Sequence, residues 1–223
     1  MAQKRAVVRQ SLPDVIATDL RNRILSGNLA EGDLIRQELL AEEYDVSRMP
    51  VREALKRLDS EGLIIFINNR TATVTKHSLS EITEFFDVRI LLEVDLLKKS
   101  IPLMEEHHFD QCSELLDEME ASYAAGNVAD WGPLNAQYHA MLYEAANKNL
   151  TMQLLERVSM QANRYVSMHI DQLQKADNAE HDHRSLLNLA RLRDIDTAVD
   201  LLTTHLEKTK QQILELIAET RSR

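Results

Sequence analysis

The stretch Val46-Ser47-Arg48-Met49-Pro50-Val51-Arg52-Glu53-Ala54-Leu55-Lys56-Arg57-Leu58 decides how the chain is read. Ser47 is suited to cap a helix by accepting from the amides of its first turn. Pro50 falls inside that turn, where its missing N–H breaks no intrahelical bond. Two faces then separate. Val51, Leu55 and Leu58 recur at three and four residues and form a stripe to bury. Arg48, Arg52 and Lys56 recur every four residues and form a cationic ridge. A short helix with one apolar side and one row of long cations suits the major groove of DNA. There, arginine forks match guanine O6/N7 or phosphate oxygens, and lysine supplies a point charge. Taken alone, the ridge fits a solvated amphipathic helix equally well. The flanks decide between the two.

Upstream, residues 1–10 carry Lys4, Arg5 and Arg9 with little pattern and read as a basic arm. Ser11-Leu12-Pro13-Asp14 opens a helix in the capping-box manner, with Asp in place of Glu. Val15, Ile16, Leu20, Ile24 and Leu25 supply its apolar stripe, and Ser26-Gly27 ends it. Asn28 to Asp33 read as a turn. A helix of roughly two turns follows from Gln37 to Tyr44, with Leu39, Leu40 and Ala41 expected to face inward. Downstream of the quoted helix, which stops at Gly62, the runs Leu63 to Ile67 and Ala72 to Thr75 are joined by Asn68-Asn69-Arg70-Thr71, a hairpin signal. Helix, helix, turn, helix and hairpin over residues 11–77 make a winged helix-turn-helix, with the third helix as reader and the hairpin as wing.

These residues also carry a family resemblance. Leu40-Ala41, Val46 to Leu55, Leu58 and Glu61-Gly62-Leu63 together resemble the DNA-binding signature of GntR-type bacterial transcription regulators, over roughly residues 12–77. The resemblance implies that Arg48 and Arg52 are the main DNA-contacting arginines and that the wing tip enters the minor groove. Ser47, Met49, Pro50 and Lys56 around them, with Arg70 at the wing, complete the expected DNA-binding set. Three positions depart from the family pattern. Glu38 stands where many members have arginine, Asp45 where most have a turn glycine, and Thr71 where a wing glycine is common. A glutamate cannot donate to phosphate, so the resemblance leaves less for the second helix to do and more for Arg70.

A net charge of -10 argues against a polyanionic partner, until the chain is divided. Residues 1–78 hold 12 Lys+Arg against 11 Asp+Glu, whereas the remainder holds 14 against 25. A near-neutral first part can place its cations on one face, while the acidic second part repels DNA. Hydrophobic residues are 44% and charged residues 28%, ordinary for a globular protein of this size. No apolar run is long enough to span a bilayer and no signal-peptide pattern opens the chain. The single cysteine, Cys112, excludes an internal disulfide, fits a reducing cytoplasm and reads as a small buried hydrophobe.

Residues 78–223 read as an all-helical antiparallel bundle of roughly six helices, so the whole chain is mainly α. Ser78 or Ser80 caps the first, whose Ile82, Phe85, Phe86, Ile90, Leu91, Val94 and Leu97 form a broad apolar face. Pro102 separates it from helices over about 109–125, 130–146, 150–169 and a fifth reaching about Leu192. Arg193-Asp194 turns into a last helix reaching Ile217 or beyond. Asn135 and His139, four apart, leave the same helix face. His183 lies on the fifth helix and His205 on the sixth. Packed around a common interior, three imidazoles and an amide oxygen would suit Zn, Ni, Mn or Fe. On spacing alone the signal is weak, since an inward-pointing helical histidine is more often a satisfied core residue.

A second resemblance covers residues 79–218. Val88-Arg89, Leu92-Glu93, Asn135, Tyr138-His139, Leu142, Ala145, Asn147, Leu150, His183-Arg184, Leu187, Asp194, Ala198 and His205 are similar to the helical ligand-binding (FCD) domain of the FadR subfamily. This implies a divalent metal held through an Asp-x-x-x-His pair and two later histidines. Here Asn135 replaces the aspartate, which removes one negative charge and keeps an oxygen ligand. Arg89 and Arg164, within apolar helices, are candidates to clamp a carboxylate effector. Each could instead be in a structural ion pair, such as Arg89–Glu93, or simply exposed. His181, two residues before His183, points elsewhere on a helix and is the weaker candidate, while His77, His107, His108 and His169 read as surface or loop residues. No acid stands convincingly beside His139, His183 or His205 as a general base, which disfavours an enzyme. The expectation is therefore a cytoplasmic, homodimeric, ligand-responsive bacterial regulator that engages a pseudo-palindromic operator in double-stranded DNA and associates with the nucleoid when bound. Its effector would be a small organic acid bound at or near the metal. The alternatives are a metal-free sensor and a metal-dependent enzyme fused to a DNA-binding head.

Overall fold

The structure is a computed structural model that describes residues 11–125, 128–168 and 179–222. The basic arm, Gly126-Asn127, His169 and the loop at 174–178 lie outside them, as does the side chain of Trp131. The chain divides into two compact units, Met1–Lys76 and His77–Arg223.

In the first unit the order is α1 (Leu12–Leu25), β1 (Leu34–Arg36), α2 (Gln37–Glu43), α3 (Arg48–Ser60), β2 (Ile64–Asn68) and β3 (Thr71–Val74). Ser11 and Asp14 form the expected capping box at the start of α1. The quoted stretch folds as its periodicity requires. Val51, Ala54, Leu55 and Leu58 on α3 are fully buried and pack against Ile16, Leu20 and Ile24 of α1, which are equally enclosed. Each such valine, leucine or isoleucine contributes about 1.5–3 kcal/mol of burial. Arg21 forks onto Glu61, Nε to Oε2 at 2.9 Å and Nη2 to Oε1 at 2.6 Å, and ties α1 to the end of α3.

Three expectations need correction here. Val15 and Leu39 are exposed rather than buried. Ile16-Ala17 and Leu40-Ala41, one and two residues later, take the inward arc, since each residue turns a helix by about 100°. Ser47 occupies the N-cap with extended backbone, yet its hydroxyl makes no capping bond. The segment after the turn at 28–33 is a strand, β1, which pairs with β3 in the register Leu34↔Thr73, Ile35↔Ala72 and Arg36↔Thr71. Its three residues are too few to show an alternation in sequence. The sheet order is β1-β3-β2, all antiparallel.

The second unit contains α4 (Leu79–Ser100), a 3-10 turn (Ile101–Leu103), α5 (Glu106–Ala124), α6 (Val128–Glu144), α7 (Asn149–Met168), α8 (Ala179–Arg191) and α9 (Ile195–Ser222). Ser78 caps α4 in a second capping box with Glu81. Helix α4 packs against α6, α7 and α9, while α5 packs against α6 and α8. Two apolar clusters result. One joins Leu96, Leu97, Phe109, Cys112, Leu116, Leu142, Leu186 and Leu202; the other joins Ile82, Phe86, Ala162, Tyr165, Ile213 and Ile217. Leu91, expected inside, is exposed. The inward stripe of α4 runs Ile82, Phe86, Arg89, Glu93, Leu96 and Leu97, so two charges hold places that an apolar count assigns to neighbours. Those charges flank Ile90, where the two apolar clusters meet along α4, and mark where the polar site lies.

Candidate functional site

On the first unit, Arg48, Met49, Arg52 and Lys56 are exposed along the side of α3 opposite its buried stripe, and Pro50 is half-buried in its first turn. The Arg48 Nη1 lies 3.1 Å from Glu38 Oε1 on α2. A glutamate at position 38 thus engages the first cation of the ridge. Arg70 is exposed at the tip of the wing. The tip is shaped by Asn68, whose Oδ1 accepts from the amides of Arg70 at 2.8 Å and Thr71 at 3.0 Å. Buried Gln37 pins it to α2, its Nε2 donating to the Asn69 carbonyl at 3.0 Å and its amide to the Arg70 carbonyl at 3.1 Å. The sequence reading gave Gln37 no role, because its partners lie 32 and 33 residues away. Asp45, in the turn before α3, has φ +51°, the left-handed conformation that a glycine adopts without strain.

On the second unit, α6, α8 and α9 bring His139, His183 and His205 together. One ring nitrogen of each lies within 4.8 Å of the others. Tetrahedral metal sites with bonds of about 2.05 Å hold their nitrogens about 3.3 Å apart, so modest closure would complete the set. His139 is 4% exposed and His183 1%. Two atoms have the character of waiting ligands. The Nε2 of His139 and the Oδ1 of Asn135, one turn earlier on α6, are buried without a hydrogen-bond partner among the described residues. Buried polar atoms are otherwise nearly always satisfied. Three imidazoles and an amide oxygen fit a borderline divalent ion.

Carboxylates back the histidines. Glu93 Oε2 lies 3.4 Å from His139 Nδ1 and accepts from the Tyr143 hydroxyl at 2.5 Å. Tyr143 Oη is also 3.2 Å from His139 Nδ1. Asp182 Oδ2 lies 3.3 Å from His205 Nδ1. The Tyr138 hydroxyl donates to the His183 carbonyl at 2.8 Å and holds α8 on α6. The absence of acids beside these histidines, read from the sequence, is therefore corrected: two are present. Helical spacing was the available signal for two of these residues, since Glu93 follows Arg89 by four and Tyr143 follows His139 by four. Asp182 is a sequence neighbour of His183 but serves His205, and only the packing of α8 on α9 reveals it.

Burial acts to raise the Glu93 carboxyl, but the Arg89 charge and the bonds from His139 and Tyr143 outweigh it and hold the group at about 2. Burial pushes His139 below the ordinary imidazole range, against the opposing pull of Glu93. His183 is pushed further down by burial, then by His139, His205 and Arg89 nearby. The bond from His205 keeps Asp182 ionised to lower pH than a free aspartate.

A cavity of about 240 Å³ opens beside His139. Its polar wall is Arg89, Glu93, His139, Tyr143, Glu156, Ser159 and Asn163, and its apolar wall is Ala136, Ala140, Met152, Leu155 and Met160. Arg89 is buried, bonded to Glu93 through Nε and to Asn163 Oδ1 at 3.2 Å through Nη1. Arg164 is fully buried, 5.7 Å from the Tyr165 ring centre, and is not among the residues lining this cavity. The simple exposure considered for either arginine is thus excluded. Of the outlying histidines, His107 and His181 are exposed, and His108 Nδ1 accepts from the Glu105 amide at 3.0 Å. His77 lies in the loop before α4, half-buried, edge-on to Phe85 with ring centres 4.8 Å apart and 3.3 Å from Gln161 Oε1.

A winged helix-turn-helix with a cation-bearing third helix, followed by a helical bundle with an internal polar site, defines a ligand-responsive DNA-binding regulator. The family comparisons agree. Residues 4–74 match the model of bacterial regulatory proteins of the gntR family, and residues 84–208 match the FCD domain. The chain belongs to the GntR family of transcriptional regulators, in its FadR-like subfamily with an FCD domain, and is not an enzyme. It is 28% identical over 209 residues to the HTH-type transcriptional regulator BphR of Paraburkholderia xenovorans, covering 90% of this chain and 84% of that one. It is 32% identical over 130 residues to the gluconate operon transcriptional repressor of Bacillus subtilis, covering 58% of this chain and 53% of that one. The Escherichia coli structure of McbR/YncC shares the fold, with a TM-score of 0.81 at 18% identity, over 94% of this chain and 100% of that one.

Proposed function

We propose that the protein is a metal-dependent sensor of a small organic acid, and that it acts as a homodimer on a pseudo-palindromic operator in the bacterial cytoplasm. One observation carries the reading: the histidine cluster and the cavity share His139, so a ligand in the cavity would lie against a metal held by Asn135, His139, His183 and His205. Such an ion, Zn, Ni, Mn or Fe, would supply a Lewis-acidic position for a carboxylate or hydroxyl oxygen. Arg89 would meet the acid at the cavity wall in competition with Glu93, which already bonds it. The relative named for the gluconate operon supports an organic acid as the class. No helix among the described residues is long and apolar enough to cross a membrane.

On DNA, two α3 helices related by twofold symmetry would enter successive major grooves. Arg48 and Arg52 would read base edges and phosphates, with Lys56 and Arg70 on the backbone. Ser47, with its hydroxyl uncommitted to the cap, would join the first-turn amides beside Met49 and Pro50 in holding a phosphate. Effector binding would shift the equilibrium between two arrangements of the reading heads, a coupling of about 1–3 kcal/mol.

The test begins with selection of bound duplexes from a random pool. Organic acids are then screened for altered affinity on the selected site, and elemental analysis is run on wild type, His183→Ala and His205→Ala. Sequence-selective binding, acid-dependent affinity and metal lost in both variants are expected. Metal content equal to wild type in the variants removes the metal from the reading. An acid response in metal-free wild type would favour the metal-free sensor instead.

A further inference from the structure

Two carboxylates stand behind two of the histidines, and neither belongs to the set of direct ligands proposed above. Glu93 lies on α4, 46 residues before His139, and is 1% exposed. Its Oε1 is taken by Arg89 and its Oε2 by the Tyr143 hydroxyl and His139 Nδ1. Asp182 lies on α8, with Oδ2 toward His205 Nδ1. An ionised carboxylate offers only acceptors, so a ring nitrogen bonded to it must carry the proton. For His139 the neighbours agree. The Tyr143 hydrogen is spent on Glu93, so Tyr143 can only accept from His139 Nδ1. Both partners therefore place the proton on Nδ1 and leave Nε2 with its lone pair. That same Nε2 is buried without a hydrogen-bond partner among the described residues.

We propose that Glu93 and Asp182 are positioning residues which fix the Nδ1–H tautomers of His139 and His205 and present their Nε2 atoms to the metal. The arrangement matches the carboxylate–histidine pairs that orient metal-bound imidazoles and raise their basicity. Glu93 carries a second duty, since Arg89 neutralises it and lines the cavity. The carboxylate orienting His139 is thus the one an effector anion would compete with for Arg89. The inference rests on the metal reading above and extends it to residues that touch no metal.

Cobalt(II) is the probe, because its visible bands report the number and geometry of nitrogen ligands. Full-length, metal-stripped protein is titrated as wild type, Glu93→Gln, Asp182→Asn and the pair Arg89→Gln/Glu93→Gln, with circular dichroism as the check on folding. The double variant is included because Glu93→Gln alone strands a buried guanidinium; where the single variant unfolds, the double carries the test. Loss of one such carboxylate lowers metal affinity ten- to a hundredfold. That loss is expected in Asp182→Asn and in the folded Glu93 variant, with altered cobalt bands. A merely structural role would shift stability and leave the bands of the bound form unchanged. Cobalt affinity and bands equal to wild type in both the Asp182 and Glu93 variants overturn the inference while leaving the metal in place. Failure of wild type to bind cobalt overturns the metal reading itself, and this inference with it.

Discussion

Lowering the pH should weaken the bundle through His139 and His183 before Glu93 or Asp182 is protonated. Both rings are almost fully enclosed, and burial holds both below the usual imidazole range. In the unfolded chain each would titrate at an ordinary value near 6.5. Above that pH both states hold neutral rings and nothing changes. Below it the unfolded chain takes up protons that the folded chain refuses, so stability falls as pH falls. Each refusing ring costs about 1.4 kcal/mol per pH unit once the unfolded form is fully protonated. Two rings therefore set a ceiling of about 2.7 kcal/mol per unit. Glu93 does not contribute in this window. Its folded value of about 2 gives stability that is fully present above pH 4.5 and is lost only as pH falls toward 2. The measurement is urea denaturation of metal-stripped protein at pH 7.5, 6.5 and 5.5, followed by far-ultraviolet circular dichroism. His183→Gln, similar in size and without a titrating ring, should have the shallower slope, by up to about 1.4 kcal/mol per unit. A flat profile from 7.5 to 5.5, or equal slopes in wild type and variant, refutes the reasoning.

Other expectations concern the first unit. Arg48→Ala and Arg52→Ala should each cost roughly 1–3 kcal/mol of operator affinity by fluorescence anisotropy, and unchanged binding in both would remove α3 as the reader. Glu38→Gln frees Arg48 from its 3.1 Å pair and removes a negative charge beside the DNA. Affinity for random duplex should rise roughly two- to fivefold, the scale of an exposed pair, and an unchanged or lower value would show that Glu38 neither restrains nor repels. Asp45→Val, at φ +51°, should lower the urea-derived stability by roughly 1–2 kcal/mol, whereas Asp45→Gly should be neutral or stabilising by up to about 1 kcal/mol. Equal stability in wild type and the valine variant would contradict the left-handed turn.

Much of the fold was legible because it is written in short-range patterns. The capping box at Ser11–Asp14 needs only residues three apart, and the stripe of α3 only residues three and four apart. The errors have the same origin. Leu39 and Leu91 are apolar but lie one helical step off the buried arc, and hydrophobicity alone does not say which of two adjacent leucines faces the core. Strand β1 exists because β3 offers it a partner, a fact no three-residue window contains.

The site divides along the same line. Sequence alone determined a winged helix-turn-helix with a cationic ridge on its third helix, an acidic helical body and a set of histidines on three separate helices. Helix phase is a local property, so each side chain's face could be read from its neighbours. Whether the three faces meet depends on how α6, α8 and α9 pack, across separations of 44 residues from His139 to His183 and 22 from His183 to His205. Packing put one nitrogen of each ring within 4.8 Å of the others, set Glu93 and Asp182 behind two of them, and opened a cavity against His139. It also gave Glu38 to Arg48. These pairings are decided by the tertiary structure, because groups on different helices become partners only where those helices pack.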